Sequence, residues 1–291
     1  MIVIDSRRTA RRKVADKLFT VFCFMAAMIA VLALGGLVYK IVTDGLGRVD
    51  WNFMSAFPSN TFPEKAGIWP AIVGTLYIVG LTGAITVPVG VLAAVYLEEF
   101  ANKKSRLANL IEVNITNLSG VPSIVYGMLG LAVFSTIFGL GKGLIVGALT
   151  MSILILPMVI LVSREALRAV PESFRQGSLA LGATQWQTIW KVVIPRALPG
   201  ILTGIILSLS RAMGETAPLI VVGAVGLVNF LPESLDDAYM VLPLQIFDWS
   251  QRPQEEFHTA AAGAIVVLMA MLLALNSVAI VIRARAQKKQ G

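Results

Sequence analysis

The chain is short of charge, and that shortage excludes more than any motif does. Only 14% of its 291 residues are Asp, Glu, Lys or Arg, while 56% are hydrophobic. A soluble domain carries roughly 25% charged and 45–50% apolar residues. With a mean hydropathy of +0.78, neither an ordinary soluble protein nor a disordered one fits. A single cysteine, Cys23, excludes an intrachain disulfide and a cysteine-based zinc cluster. A single histidine, His258, leaves little for metal binding or histidine-dependent chemistry. The net charge of +7 does not point to nucleic acid, because the basic residues lie between long apolar runs, where membrane topology accounts for them.

What the sequence does have is apolar runs of membrane-crossing length. A helix needs about 20 apolar residues to span about 30 Å of hydrocarbon. Six runs qualify: Leu18–Val42, Trp69–Leu97, Leu118–Phe138, Leu144–Val162, Leu198–Val225 and Thr259–Ile282. The expected fold is therefore an all-α integral membrane protein of six transmembrane helices, with a membrane domain at 18–282 and polar tails at 1–17 and 283–291. The first run is too long for a signal-peptide core of about 7–15 residues and no small-residue cleavage site follows it, so it is expected to stay as a helix.

Six crossings place both termini on one side. That side receives Arg7, Arg8, Arg11, Arg12, Lys13, Lys17, Lys103, Lys104, Arg106, Arg164, Arg168, Arg175, Lys191, Arg196, Arg283, Arg285, Lys288 and Lys289. The other receives Arg48, Lys65, Lys142 and Arg252. Eighteen against four predicts cytoplasmic termini by the positive-inside rule. Pro88, Pro122, Pro157 and Pro218 lie inside the runs. Ordinary membrane-helix composition explains them, and kinks beside a translocation path are the functional reading.

Residues 164–196, between the fourth and fifth runs, are too many for a simple helical hairpin connection of typically 2–8 residues. They read as two short helices. Pro171 suits a first helical position, with Glu172 in the first turn. Gly182 is a C-terminal stop. Thr184 and Gln187 have the spacing of a capping box. Trp186, Ile189, Trp190 and Val193 then form a helical apolar stripe, with Pro195 and Pro199 punctuating its exit. The stripe has two readings that the residues leave even: packing on the protein's own spans, or docking to a cytoplasmic partner.

The stretch Gln176-Gly177-Ser178-x-x-x-Gly182, followed by Val192-Val193-Ile194-Pro195, resembles the "EAA" coupling loop of ABC-importer permeases. The glycine, the spacing and the final proline match, whereas the Glu-Ala-Ala triplet is replaced by Gln-Gly-Ser. In that family the loop inserts into a groove on a cytoplasmic ATPase. The chain has no G-x-x-x-x-G-K-[ST] phosphate loop; Gly141-Lys142-Gly143 is the nearest fragment. It is thus expected not to be an enzyme, and any ATP that drives it is expected to be hydrolysed by another subunit.

The fifth run contains Arg211 and Glu215 in Ser210-Arg211-Ala212-Met213-Gly214-Glu215-Thr216-Ala217-Pro218. Arg211 lies about 20 Å beyond Leu198 along a helix, too deep to snorkel easily, and a central Arg costs at least about 2.5–3.5 kcal/mol. Glu215, four residues on, shares its helix face. Either the two form a private ion pair that pins helix packing, or Arg211 faces a wet cavity and meets an anion. The guanidinium fork suits phosphate or carboxylate oxygens. A neighbouring carboxylate repels a fully ionised oxyanion such as sulfate but accepts a hydrogen bond from a protonated one. Phosphate, by analogy with monoesters whose second pKa is about 6, keeps a proton near neutrality, so the pairing favours phosphate.

Arg211–Pro218 is similar to the RAMGETAP signature of phosphate-specific ABC-importer permeases of the PstA type. Gly74-Thr75-Leu76, Tyr96-Leu97-Glu98-Glu99-Phe100 and Gly120–Gly127 resemble the same family, and the resemblance covers roughly residues 65–225. It implies a six-helix type I permease fold in a bacterial inner membrane. It also implies a heteromeric importer: a second homologous permease, two cytoplasmic ATPase subunits using ATP and Mg²⁺, and an extracytoplasmic phosphate-binding protein. This chain itself would bind no cofactor. The substrate pathway would include Ser210, Arg211, Glu215 and Thr216, with Ser123 and Tyr126 as further lining or as helix–helix hydrogen bonds. Gln176, Gly177, Ser178, Gly182, Ala183, Trp186 and Pro195 would couple to the ATPase. Tyr96–Phe100 reads as an interfacial belt with an acidic helix end.

The loops 43–68 and 226–258 carry nine acids against the four bases of that side. A solvated acidic face is one reading, and delivery of substrate by a binding protein is another. Trp249 and Phe247 are expected at the membrane surface, and His258 is expected to be interfacial. The alternatives to a phosphate permease are a permease for sulfate or molybdate, a stand-alone anion carrier or channel, and a membrane-embedded enzyme. The last would need convergent catalytic groups at depth, which the sequence does not offer.

Overall fold

A computed structural model describes residues 6–102, 105–223 and 228–288. Among the described residues there is no strand, and the chain is a helical bundle. Five helical runs are long and apolar enough to cross a membrane, and a bent pair supplies a sixth crossing. The basic residues Lys103, Lys104 and Lys289, and Val225 at the end of the fifth run, lie outside the described residues.

Helix α1 (Ser6–Leu46) meets the rest of the chain at its far end, where Gly45 lies against the Ala262 backbone of the last helix. The apolar stretch before that is exposed on this single chain. Helix α2 (Trp51–Ser55) is capped by Asp50, whose Oδ1 accepts a hydrogen bond from the Phe53 amide at 2.6 Å. Helix α3 (Trp69–Val95) continues through a π-helical turn, Tyr96–Phe100. The side bearing the two chain ends is called here the tail side, and the opposite one the far side.

The third run departs from expectation. Helix α4 (Arg106–Ser119) and helix α5 (Ser123–Gly130), which continues as Leu131–Ile137, meet at 106°. A straight span Leu118–Phe138 does not exist. Pro122 adopts an extended backbone at the entrance to α5, as a proline before a first helical turn does, and the residue before proline resists the α conformation. The crossing piece Ser123–Ile137 is only about 22 Å long. Tyr126 bridges the elbow, donating its hydroxyl to the Leu118 carbonyl at 2.6 Å.

Helix α6 (Leu144–Arg168) is the hub. Gly90 of α3 receives Val159, and the Thr82 and Thr86 hydroxyls lie 3.4 and 3.5 Å from the Ala148 and Ser152 carbonyls. Two short helices follow, α7 (Glu172–Ala180) and α8 (Gln185–Thr188). Helix α8 runs through Ile189–Val193 straight into α9 (Ile194–Gly214). Pro195 and Pro199 therefore do not punctuate an exit. Pro195 lies inside that continuous run, just past the π-helical turn Ile189–Val193, and has no N–H to give to the helix ladder. The fifth crossing is one continuous helix, Gln185–Gly214, rather than Leu198–Val225. It ends at Gly214, and a separate helix α10 (Ala217–Val221) follows. Gly200 and Gly204 let α9 close on Ala166 and Val162 of α6, the small-residue contact common between membrane helices.

The far-side loops are packed beneath an acidic surface that stays exposed at Asp44, Asp50, Glu64, Glu233, Asp236, Glu255 and Glu256. Tyr239, Met240 and Val241 are buried, and α11 (Leu242–Ser250) buries Leu242, Leu244, Gln245 and Trp249. Burial pushes the Tyr239 phenol pKa up. Thr75 explains the local sequence around it: its hydroxyl accepts the first free amide of α11, from Leu242, at 2.9 Å, and Gly74 leaves room for the Met240 carbonyl. Trp249 is not at the membrane surface. It sits in the core between Phe53 and Phe257, at 6.1 and 6.2 Å, while Phe247 is half-exposed. Helix α12 (Glu255–Lys288) completes the bundle, and His258 Nε2 pairs with the Arg252 carbonyl at 2.7 Å.

Candidate functional site

Two places gather the residues singled out above, and both are set by where helices break. The first is the end of α9. Gly83, fifteenth residue of the run Trp69–Phe100, faces the Leu209 side chain. That contact sets Leu209 near mid-height, with Arg211 about 3 Å further along the axis. Arg211 occupies the last turn of α9, where a cation complements the free carbonyls and helix dipole. Its Nε donates to Glu215 Oε1 at 3.2 Å. Glu215 is the first residue beyond the helix, already extended.

The pair is not sealed in the chain's own core. The Arg211 side chain is 55% exposed on this single chain, and that of Glu215 19%. Ser210, adjacent to Arg211, donates to Asn276 Oδ1 of α12 at 2.8 Å. Thr216 is half-buried, and its carbonyl receives the Leu219 and Ile220 amides that start α10. The elbow between α4 and α5 lies against this second break: Gly127 of α5 receives the Pro218 backbone of α10. Ser123 is half-buried at the head of α5, and Tyr126 is buried, with its hydroxyl committed to Leu118. Ser123 and Tyr126 thus share the helix that packs on the chain just past Thr216, though Tyr126 serves the elbow.

The second place is the hairpin α7–α8 on the tail side. Gly182 has φ +84°. The Gly182 and Ala183 amides donate to the Leu179 and Ser178 carbonyls at 2.9 and 3.2 Å. This is a Schellman stop, with Gly182 in the left-handed position that favours glycine. Thr184 and Gln187 form the expected capping box. Gln176 and Gly177 are exposed on α7, and the Ser178 and Thr188 hydroxyls meet at 2.9 Å. At the tip Leu181 is 91% exposed.

The apolar stripe of α8 divides between its two readings. Ile189 and Val193 are buried in the chain's own core, whereas Trp186 and Trp190 stay open. The two indoles lie 5.3 Å apart, and Trp186 also meets Phe100, at 6.1 Å.

Sequence reading missed one cluster entirely. Glu98 Oε2 accepts from Arg168 Nε at 2.8 Å and lies 3.5 Å from Arg164 Nε. Glu112 of α4 faces both arginines, at 3.3 and 3.6 Å. Glu99 accepts a fork from Arg175. These arginines count in the sequence only as topological charge; the Glu98, Glu99 and Glu112 partners lie 52 to 76 residues away, beyond any local pattern. The hydrogen bond to Glu99 pushes the Arg175 pKa up, so it stays charged. Among the described residues no group of His, Cys, Asp or Glu is arranged to hold a metal.

Residues 86–289 match the family model described as the binding-protein-dependent transport system inner membrane component. The chain belongs to this family. It is 31% identical over 288 residues to the phosphate transport system permease protein PstA 1 of Mycobacterium tuberculosis strain H37Rv, covering 97% of this chain and 92% of that one. It is 33% identical over 264 residues to the probable PstA of Methanocaldococcus jannaschii, covering 91% and 92%. Solved structures share the fold. A bacterial alginate ABC transporter chain aligns with TM-score 0.66 at 15% identity over 94% of this chain and 97% of its own. A chain of the inward-facing MetNI methionine ABC transporter aligns at 0.60 and 20% identity, over 76% and 94%. The chain is thus a multi-pass membrane permease component with the fold of ABC-importer permeases.

Proposed function

We propose that the chain is one of two permease subunits of an ATP-driven importer of inorganic phosphate. The observation that carries this is the Arg211–Glu215 pair at the broken end of α9: a donor fork beside an acceptor, near mid-height and open on the single chain. Against dry lipid such an Arg would cost at least about 2.5–3.5 kcal/mol. Facing a wet pathway shared with a second permease, it can stabilise an anion in transit. Broken helices flanking a mid-membrane substrate site are a recurring arrangement in transporters. The names of the permease relatives support phosphate as that anion.

In this reading the tail side is cytoplasmic, by the positive-inside rule, and the membrane is the bacterial inner membrane. Phosphate arrives at the far side from a binding protein. Ser210 and Thr216 flank the pair along the pathway. The ATP and Mg²⁺ belong to two cytoplasmic ATPase subunits, on which Leu181, Gly182, Ala183 and the exposed faces of Gln176, Gly177 and Trp186 dock. Closing of the ATPases moves the hairpin, and the two permeases reorient around the pathway. The long exposed face of α1 suits contact with lipid and with the second permease.

The test is ATP-dependent phosphate uptake by the purified complex reconstituted in vesicles, with Arg211 and with Arg211→Gln. Losing the charge and fork should lower uptake about 100-fold, as for a transition-stabilising cation. Native-level uptake by the variant would remove Arg211 from the pathway.

A further inference from the structure

We propose that Glu99 and Arg175 form the mechanical joint through which movement of the α7–α8 hairpin reaches α3; this rests on the reading of that hairpin as the ATPase-docking element. Helix α7 contributes no buried residue to any core. Its position is therefore set by polar ties, and the strongest of them converge on one residue. Arg175 Nη2 donates to Glu99 Oε1 at 2.6 Å and Nε to Oε2 at 3.3 Å, the two-pronged geometry that fixes orientation as well as distance. Both side chains are shielded, Glu99 at 8% and Arg175 at 14% exposure.

The same two residues hold everything around them. Arg175 also donates to the Val170 and Leu167 carbonyls, at 2.7 and 3.0 Å, and so covers the free C-terminal end of α6. The Glu99 carbonyl accepts from Gln185 Nε2 at 2.7 Å, so both arms of the hairpin end on Glu99. Neighbouring Glu98 points elsewhere, to Arg168 and Arg164 of α6. Two consecutive carboxylates on the π-helical turn thus divide the work, Glu98 holding the bundle and Glu99 holding the hairpin.

A cavity of about 740 Å³ lies beside the joint, lined by Glu98, Glu99, Arg168, Arg175, Gln185 and Thr188 among others. Helix α7 is strapped across this open space without a buried residue of its own, while α8 runs on into the buried Ile189 and Val193. A push at its tip has Glu99 as its stiff route into α3, because the fork and the Gln185 bond resist both sliding and rotation.

The experiment uses the full reconstituted complex and reads ATP hydrolysed per phosphate imported. Glu99→Gln and Arg175→Gln should each raise that ratio about tenfold, within the usual range of coupling between sites, while co-purification with the ATPase stays within about twofold of native. The double variant should be no worse than either single one, since both remove one contact. Arg175→Lys, which keeps the charge, should recover part of the coupling. Unchanged ratios in assembled complexes, or additive defects in the double variant, overturn the joint. If Glu99→Gln does not assemble, Gln185→Ala reads the same ratio through the second tie; loss of assembly in both makes the contact a folding staple and overturns the proposal. A native complex that imports no phosphate instead defeats the proposed function, so the two failures are distinguishable.

Discussion

The Ser210 hydroxyl donates to the Asn276 side-chain carbonyl at 2.8 Å, joining α9 to α12 one residue before Arg211. Asn276 lies inside the last crossing, where a polar side chain with no partner is costly. The bond therefore fixes the rotation of α9 about its axis, and with it the direction of the Arg211 guanidinium. Asn276→Leu should lower phosphate uptake about tenfold while leaving the complex assembled, because a small misplacement of a binding group costs rate steeply. Uptake in vesicles checks this, and native uptake by Asn276→Leu would show that the bond has no part in aiming Arg211.

In the proposed pathway Glu215 bears on selectivity rather than on uptake alone. As a carboxylate it accepts a hydrogen bond from the O–H that phosphate retains and sulfate lacks. Glu215→Gln keeps the size, loses the charge and gains donors, so competition by sulfate should increase about tenfold, the scale expected for removing one charged hydrogen bond. Phosphate uptake measured against rising sulfate reads the change. An unmoved preference removes Glu215 from selection.

Gly182 holds a left-handed conformation at the hairpin turn, φ +84°, with open space around it. A Cβ added at Gly182 meets nothing within 4 Å, so the effect of Gly182→Ala is conformational, about 1–2 kcal/mol against the Schellman stop. The hairpin should then lose its fixed angle, raising ATP hydrolysed per phosphate several-fold with the complex still assembled. Normal coupling would count against the hairpin as the transmitting element.

Local rules were enough for much of this architecture. The capping box at Thr184, the glycine stop at Gly182 and the four-residue spacing of Arg211 and Glu215 each depend on neighbours within a turn or two, and each is present. The elbow at Gly120–Pro122 was absorbed into a span because hydropathy sums composition and is blind to direction. The end of α9 at Gly214 was hidden for the same reason, since Ala217–Val221 is as apolar as the helix before it. Trp249 was placed at the membrane surface on residue type, while tertiary packing against Phe53 and Phe257 decided otherwise. The Glu98, Glu99 and Glu112 network pairs residues distant in sequence, which no periodicity exposes. Asn276 is likewise an isolated polar residue until its partner on α9 is seen.

Because α8 passes into α9 within one helical run, Trp186 and Arg211 ride on the same helix, through the π-helical turn and past Pro195 and Pro199, about 38 Å apart along its axis. A rod pivoting near its middle swings its two ends in opposite senses. Tilting it by about 10° would carry each end some 3 Å, by simple trigonometry on that length. A nudge from the nucleotide machinery on one face of the membrane would then arrive at the guanidinium as a displacement of hydrogen-bond size, enough to make or break its contact with an anion.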